Sequence, residues 1–219
     1  MLIGMSESRR RGRPPRIDRD RIVAAARDMD PATLTMQAVA ERLGVDRKAL
    51  NYHVTDRDGL LQLVAHETLS SLLETVTPVD GTWQDMVRAI AHQTRASMIA
   101  VGAHFDYVRL PIGSGPAALA PNEHLLRSLV EAGFTDAQAG RALGLLAELM
   151  YASARNTVLA GRYGEHPQIT ELNRMLAEAP PGTLPSIRRL SAARIGLDPE
   201  QFDFDLDVVI AGLAQLLDR

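Results

Sequence analysis

The chain has 219 residues, 46% of them apolar but only 4% aromatic, and it contains no cysteine. That length supports one large or two modest domains around a real core. Without cysteine there is no disulfide framework and no thiolate chemistry, which fits a reducing cytoplasm, and no apolar run approaches the roughly 18 residues of a membrane span.

The formal net charge of −3 is unevenly spread. Residues 1–60 hold 12 Lys+Arg against 9 Asp+Glu, and residues 61–219 hold 12 against 18. An anionic partner is therefore expected to meet the N-terminal quarter. Alanine, leucine and arginine dominate, so the chain is expected to be all-α.

Residues 1–17 form a basic arm, Ser8-Arg9-Arg10-Arg11-Gly12-Arg13-Pro14-Pro15-Arg16. Glycine and two prolines oppose helix there, and the lack of an apolar stretch after the arginines excludes a secretory signal. Arg11 and Arg13 flank Gly12 in a pattern that resembles an AT-hook. Such an arginine pair suits the narrow, strongly negative minor groove of A·T-rich DNA. A solvated tail with general affinity for polyanions is the alternative reading.

Asp18 can cap a first helix carrying Ile22, Val23 and Ala26 on its inner side, and Asp30-Pro31 ends it. From Thr35 to Val54 the pattern is two short helices joined by a tight turn. Thr35 is a good N-cap, and Met36, Val39, Ala40 and Leu43 recur at helical spacing. Gly44 lets the backbone turn left-handed. Asp46 caps a second helix running to about His53, with Ala49, Leu50 and Val54 inward. Arg47, Lys48, Asn51 and Tyr52 fall on or near its outer face, a set that can lie in a major groove. An ordinary helical hairpin is the competing reading. Asp56 then caps a connecting helix to about Thr75, so residues 18–60 read as a three-helix module.

Ile22-Val23-Ala24-Ala25-Ala26, Leu34-Thr35-Met36, Leu43-Gly44-Val45, Ala49-Leu50, His53-Val54 and Arg57-Asp58-x-Leu60-Leu61 resemble the DNA-binding domain of the TetR family of repressors. That resemblance implies a phosphate contact for Thr35 and a base contact for Gln37. It places Arg47 and Lys48 at base edges, arginine to guanine being the commonest bidentate pairing. Tyr52, His53 and Arg57 match phosphate-holding positions. One departure stands out: Asn51 occupies the place of the family's usual tyrosine, with Tyr52 following. Asn51 then reads adenine or bonds the DNA backbone.

Residues 61–219 read as a second, helical domain. Thr77-Pro78-Val79-Asp80-Gly81 is a turn cluster. Trp83 to about Val101 is expected to be a helix, followed by a short segment, His104–Leu110, and a Pro/Gly loop from Pro111 to Pro116. Asn122 is expected to cap the helix ending at Glu131. A long helix runs from Thr135 or Asp136 to about Ala160, with small residues at Ala139, Gly140, Gly144, Ala147 and Ala154. The segment 164–185 mixes a short helix with proline- and glycine-rich connection. The last helix is expected from about Asp205, with Leu206, Val209, Ile210, Leu213, Leu216 and Leu217 on one stripe. The long helix and the last one carry more apolar or small-residue face than one core needs. They suit a homodimer, which would present two reading helices to successive major grooves, with an internal core as the alternative reading.

Thr82-Trp83-Gln84-Asp85, Glu131-Ala132-Gly133-Phe134 and Leu184-Pro185 before the closing helix resemble the tetracycline-repressor type of C-terminal domain. The resemblance implies an inducer pocket there. The groups that hold tetracycline with magnesium differ, however: the metal-ligand histidine corresponds to Arg109, a second histidine to Leu73, an asparagine to Ile90, and an acidic residue from the partner falls near Ala160. Magnesium prefers an octahedron of oxygens. A small organic, metal-free ligand is therefore expected, walled by Ile90, Thr94, Met98, Tyr107, Met150 and Tyr151. Arg109, if it lines the pocket, would favour a carboxylate or a polarised oxygen. For each of these residues a plain core role is the alternative.

Other chemistry finds little footing. Six scattered histidines offer no zinc spacing. Gly113-Ser114-Gly115 lacks the spacing of a hydrolase elbow and the lysine of a phosphate loop. The sequence thus reads as a ligand-switched, dimeric DNA-binding repressor without metal or cofactor. A helical enzyme and an A·T-rich architectural protein working through the arm are the alternatives.

Overall fold

The computed structural model describes residues 17–109, 116–193 and 199–217, and all the regular structure among them is helical. Arg11 and Arg13 lie outside the described residues, as does the Pro/Gly loop after Arg109 apart from Pro116. No described helix is long and apolar enough to cross a membrane.

Four short elements make an N-terminal unit: α1 (Arg19–Ala26), α2 (Met36–Leu43), α3 (Arg47–Leu50) and the first half of α4 (Arg57–Leu73). Each start is fixed by a side-chain cap. Asp18 accepts from the Arg21 N–H at 2.9 Å, Thr35 from Ala38 at 3.1 Å, Asp46 from Lys48 at 2.7 Å and Asp56 from Gly59 at 2.8 Å. Gly44 sits at φ 65°, ψ 36°, the left-handed conformation that lets α2 stop and α3 turn away from it. Ile22, Leu34, Val39, Leu50, Leu60 and Leu61 are fully buried in this unit's own core. The helix after Asp46 is shorter than its pattern suggested. Its path continues through Asn51–His53 with i→i+3 bonds, Asn51 to Lys48 and His53 to Leu50.

The second core begins within α4, at Ala65, one residue past Val64 of the first. It is built from α5 (Trp83–Ala100), a 3₁₀ segment (Gly102–Tyr107), α6 (Ala120–Glu131), α7 (Asp136–Tyr163) and α10 (Pro199–Leu217). Two smaller helices follow, α8 (Pro167–Glu178) against α7 and α9 (Pro185–Ala193) against α8. Thr82–Asp85 and Thr135–Gln138 form reciprocal capping boxes at the starts of α5 and α7. The Trp83 and Phe134 rings meet edge-on with centroids 5.2 Å apart, joining two segments that looked distinctive in sequence.

Three boundaries differ from expectation. α6 starts at Ala120 rather than behind Asn122, because Pro121 fits the first turn, where no N–H is required. α9 runs on from Pro185 into residues for which the pattern named no element. α10 starts at Pro199, six residues before Asp205, and its extra turns bury Phe202.

Candidate nucleic-acid interface and ligand core

α3 and the turn after it present one polar face. Leu50 is fully buried and Val54 nearly so, anchoring the element, while Arg47, Lys48, Asn51 and Tyr52 point to solvent. Tyr52 is 89% exposed. Its phenolic hydroxyl is thus open to solvent and free to donate or accept a hydrogen bond. Thr35 and Gln37, at the start of α2, are exposed as well. The Thr35 oxygen already accepts its capping bond, so its hydroxyl proton is the group left for an anionic oxygen. Gln37 donates its amide to Glu41 Oε1 at 2.7 Å, a bond it must release or share to read a base. His53 is half-buried beside this face.

Arg57 has another task. Its Nε donates to the Leu34 carbonyl at 2.8 Å, and one terminal nitrogen donates to the carbonyl of Pro31. It thus holds the loop that delivers Thr35 to the start of α2, so it acts as a positioning residue before any phosphate contact. Arg57→Met is expected to destabilise the N-terminal unit by about 2–3 kcal/mol, since hydrogen bonds to a charged group contribute about 1.5–3 kcal/mol each. Urea unfolding followed by circular dichroism measures this; an unchanged midpoint would remove the positioning role.

The expected ligand residues divide. Ile90, Thr94 and Met98 lie one turn apart on the buried side of α5, and Met150 of α7 is buried in the same core. Tyr151 packs partly against that core, its ring 5.1 Å from Phe105. Tyr107 is half-buried and touches both cores. Arg109 stands apart. It is exposed, and one terminal nitrogen of its guanidinium donates to the carbonyls of Asp106 and Val108 at 2.8 and 3.2 Å. The Thr94 hydroxyl is buried with no hydrogen-bond partner among the described residues. An unpaired buried hydroxyl costs about 1–3 kcal/mol. Thr94→Val is therefore expected to raise the melting temperature by a few degrees, at about 2–4 °C per kcal/mol for this size. If the hydroxyl is there for a ligand, the same change weakens that ligand. Calorimetric melting checks the first part, and a lower melting temperature would contradict it.

Two contacts that the sequence did not announce tie the 3₁₀ segment and the residues just after it to α4 and α7. The Arg109 backbone N–H donates to His66 Nε2 on α4 at 3.2 Å. Burial holds the His66 imidazole below its ordinary pKa; Glu67 opposes this and Arg109 adds to it. An unprotonated Nε2 is what that acceptor role needs. Further along, the Arg162 side chain of α7 pairs with Asp106 at 2.7 Å and reaches the Ala103 carbonyl, tying α7 to the 3₁₀ segment.

A third missed group lies at α10. Arg95 donates to Ser153 and Thr157 at 2.8 and 2.9 Å, with its guanidinium 4.9 Å from the Phe202 ring centroid. His92 meets Asp203 at 2.9 Å, and Arg88 pairs with Asp207. These bonds pin α10 to α5 and leave its other side, including Phe204 and Val208, in solvent at 63% and 56% exposure. On α7, a Cβ added at Gly140 or Gly144 would meet nothing within 4 Å.

Residues 77–217 match a family described as tetracyclin repressor-like, C-terminal domain. The class A tetracycline repressor protein from transposon 1721, in Escherichia coli, is 29% identical over 186 residues, covering 83% of this chain and 82% of that protein. Among solved structures, a possible TetR family transcriptional regulator from Streptomyces coelicolor A3(2) superposes with a TM-score of 0.73 at 24% identity, covering 91% of this chain and 100% of that one. The TetR family protein ActR of Streptomyces coelicolor, in complex with actinorhodin, does so with a TM-score of 0.68 at 26% identity, covering 90% and 95%.

Proposed function

This chain belongs to the tetracycline-repressor-like (TetR) family of transcriptional regulators, and from that membership we propose that it is a ligand-responsive repressor, binding a palindromic operator as a homodimer in the cytoplasm. Membership makes it a regulator of transcription rather than an enzyme. The observation that carries the finer reading is the exposed set Arg47, Lys48, Asn51 and Tyr52 on an element anchored by a fully buried Leu50. Such a face has no structural task within the protomer, and its chemistry suits base edges and phosphates.

In this reading residues 18–60 read DNA, with the arm 1–17 adding minor-groove or phosphate contact through Arg11 and Arg13. Arg47 and Lys48 approach base edges, as do Gln37 and Asn51, while Thr35, Tyr52 and His53 hold phosphates. Residues 61–219 bind the ligand and dimerise through the solvent-facing sides of α7 and α10. The open space at Gly140 and Gly144 and the bare side chains of Phe204 and Val208 support that interface.

The ligand is a metal-free organic molecule meeting Ile90, Thr94, Met98, Tyr107, Met150 and Tyr151. The ActR complex with actinorhodin supports an organic effector on this fold. Binding there changes the spacing of the two reading helices through Tyr107, which touches both cores, and through the Arg109–His66 bond to α4. For this the ligand must bind the two placements unequally.

The test is titration of the operator complex with actinorhodin and other organic compounds, in chelator, beside tetracycline with magnesium. Release by a compound in chelator is the expected result. Release only by tetracycline with magnesium overturns the metal-free reading, and unchanged operator affinity with a bound compound overturns the switch.

A further inference from the structure

A crevice of about 730 Å³ opens where the N-terminal unit meets the C-terminal one. Its walls come from the turn after α1, the 3₁₀ segment Gly102–Tyr107 and the end of α7. It is separate from the buried α5–α7 residues assigned above to the ligand, sharing only Tyr107 with that set.

Three carboxylates line it, and two are matched. Asp106 is held by Arg162 at 2.7 Å, and Asp28 stands 3.8 Å from Arg27. Asp30 differs. One of its oxygens accepts from the Ala32 N–H at 2.8 Å, and among the described residues no cation pairs with it. The crevice therefore carries one unmatched negative charge at Asp30.

His104 lines the same crevice, is 4% exposed, and has a buried Nε2 with no partner among the described residues. Burial lowers its pKa while the nearby Asp30 carboxylate works the other way, so the ring is kept neutral and near that charge. A neutral imidazole has one acceptor nitrogen, and an ionised carboxylate only accepts. The Asp30 carboxylate is served by a ligand that brings several N–H donors and a positive charge. Tyr107 and Tyr163 add aromatic surface at the same crevice, and Tyr163 is 63% exposed. Aromatic faces attract cations as well as flat apolar bodies. No three His, Cys, Asp or Glu side chains among the described residues are grouped to hold a metal ion.

We propose that this crevice is a second ligand site, for a compact organic cation whose ammonium or amidinium head sits at Asp30 and whose body lies against Tyr107 and Tyr163. An occupant touching both walls favours one placement of the two units over others.

The experiment is calorimetric titration of the full-length protein with benzamidine, and with benzoate as its anion of matching shape. Benzamidine is expected to bind and benzoate to give no heat of binding. Asp30→Asn keeps an oxygen for the Ala32 N–H but removes the charge. It is expected to weaken benzamidine about tenfold or more, the loss typical of a charged hydrogen bond, at an unchanged melting temperature. Tyr163→Ala, on the exposed rim, is expected to weaken it severalfold. Equal binding of benzoate, full affinity in Asp30→Asn, or no benzamidine binding at millimolar concentration overturns the site.

Discussion

Replacing Arg47 and Lys48 together by alanine is expected to lower operator affinity by roughly a hundredfold or more, with no change in thermal stability. Neither side chain contributes to the core. Both are exposed, and α3 is held by the buried Leu50 and by the Asp46 carboxylate on the Lys48 backbone N–H, which alanine retains. A good bidentate pair discriminates by about 1–3 kcal/mol, and in a symmetric dimer each loss counts twice. Fluorescence anisotropy on operator variants separates the roles. A loss confined to one base pair marks base reading, whereas a uniform loss with a shallower salt slope marks phosphate contact. Full affinity in the double variant would move the reading head elsewhere.

Val208→Arg is expected to convert the dimer to monomers at micromolar concentration and to abolish tight operator binding with it. In the protomer Val208 is 56% exposed, and Phe204 one turn away is 63% exposed. The change therefore leaves the folded chain unaltered and affects only what covers it. In a two-fold interface an arginine would enter from each side. A buried charge without a partner costs about 3–5 kcal/mol, so two of them exceed what most interfaces of this kind can absorb. Light scattering reads the mass directly, with Val208→Ala as the control that keeps the surface neutral. An arginine variant that stays dimeric would place the interface off this face of α10.

The N-terminal unit was the more legible half because its cues are local. A cap is a side chain bonding the backbone two or three residues on, so Asp18, Thr35, Asp46 and Asp56 could be read from the string and stand in those roles. Gly44 is similar: its left-handed φ follows from the tight turn between two amphipathic segments. Long-range contacts were not readable in this way. Nothing near Arg57 announces that its guanidinium reaches back to carbonyls 23 and 26 residues earlier. The His66 contact with the Arg109 backbone, 43 residues away, is equally silent, because a backbone donor carries no residue signature. α10 was expected from about Asp205 but begins at Pro199, and Pro199-Glu200-Gln201 with the alternating acids after Phe202 shows no apolar stripe. Only the facing Arg88, His92 and Arg95 of α5 show why Asp203, Asp207 and Phe202 belong to a helix. The core residues Ile90, Thr94 and Met98 were legible as a buried stripe, but Arg109 was not legible as backbone-bound.

Selection of duplexes from a random pool by the full-length protein at near-physiological salt tests the central claim most directly. A dimeric repressor reading DNA through Arg47, Lys48, Asn51 and Tyr52 is expected to enrich an inverted repeat, its half-sites about one helical turn or a multiple apart. Enrichment of A·T tracts without symmetry, surviving alanine at Arg47 and Lys48 and lost when residues 1–17 are removed, would contradict it and assign recognition to the arm.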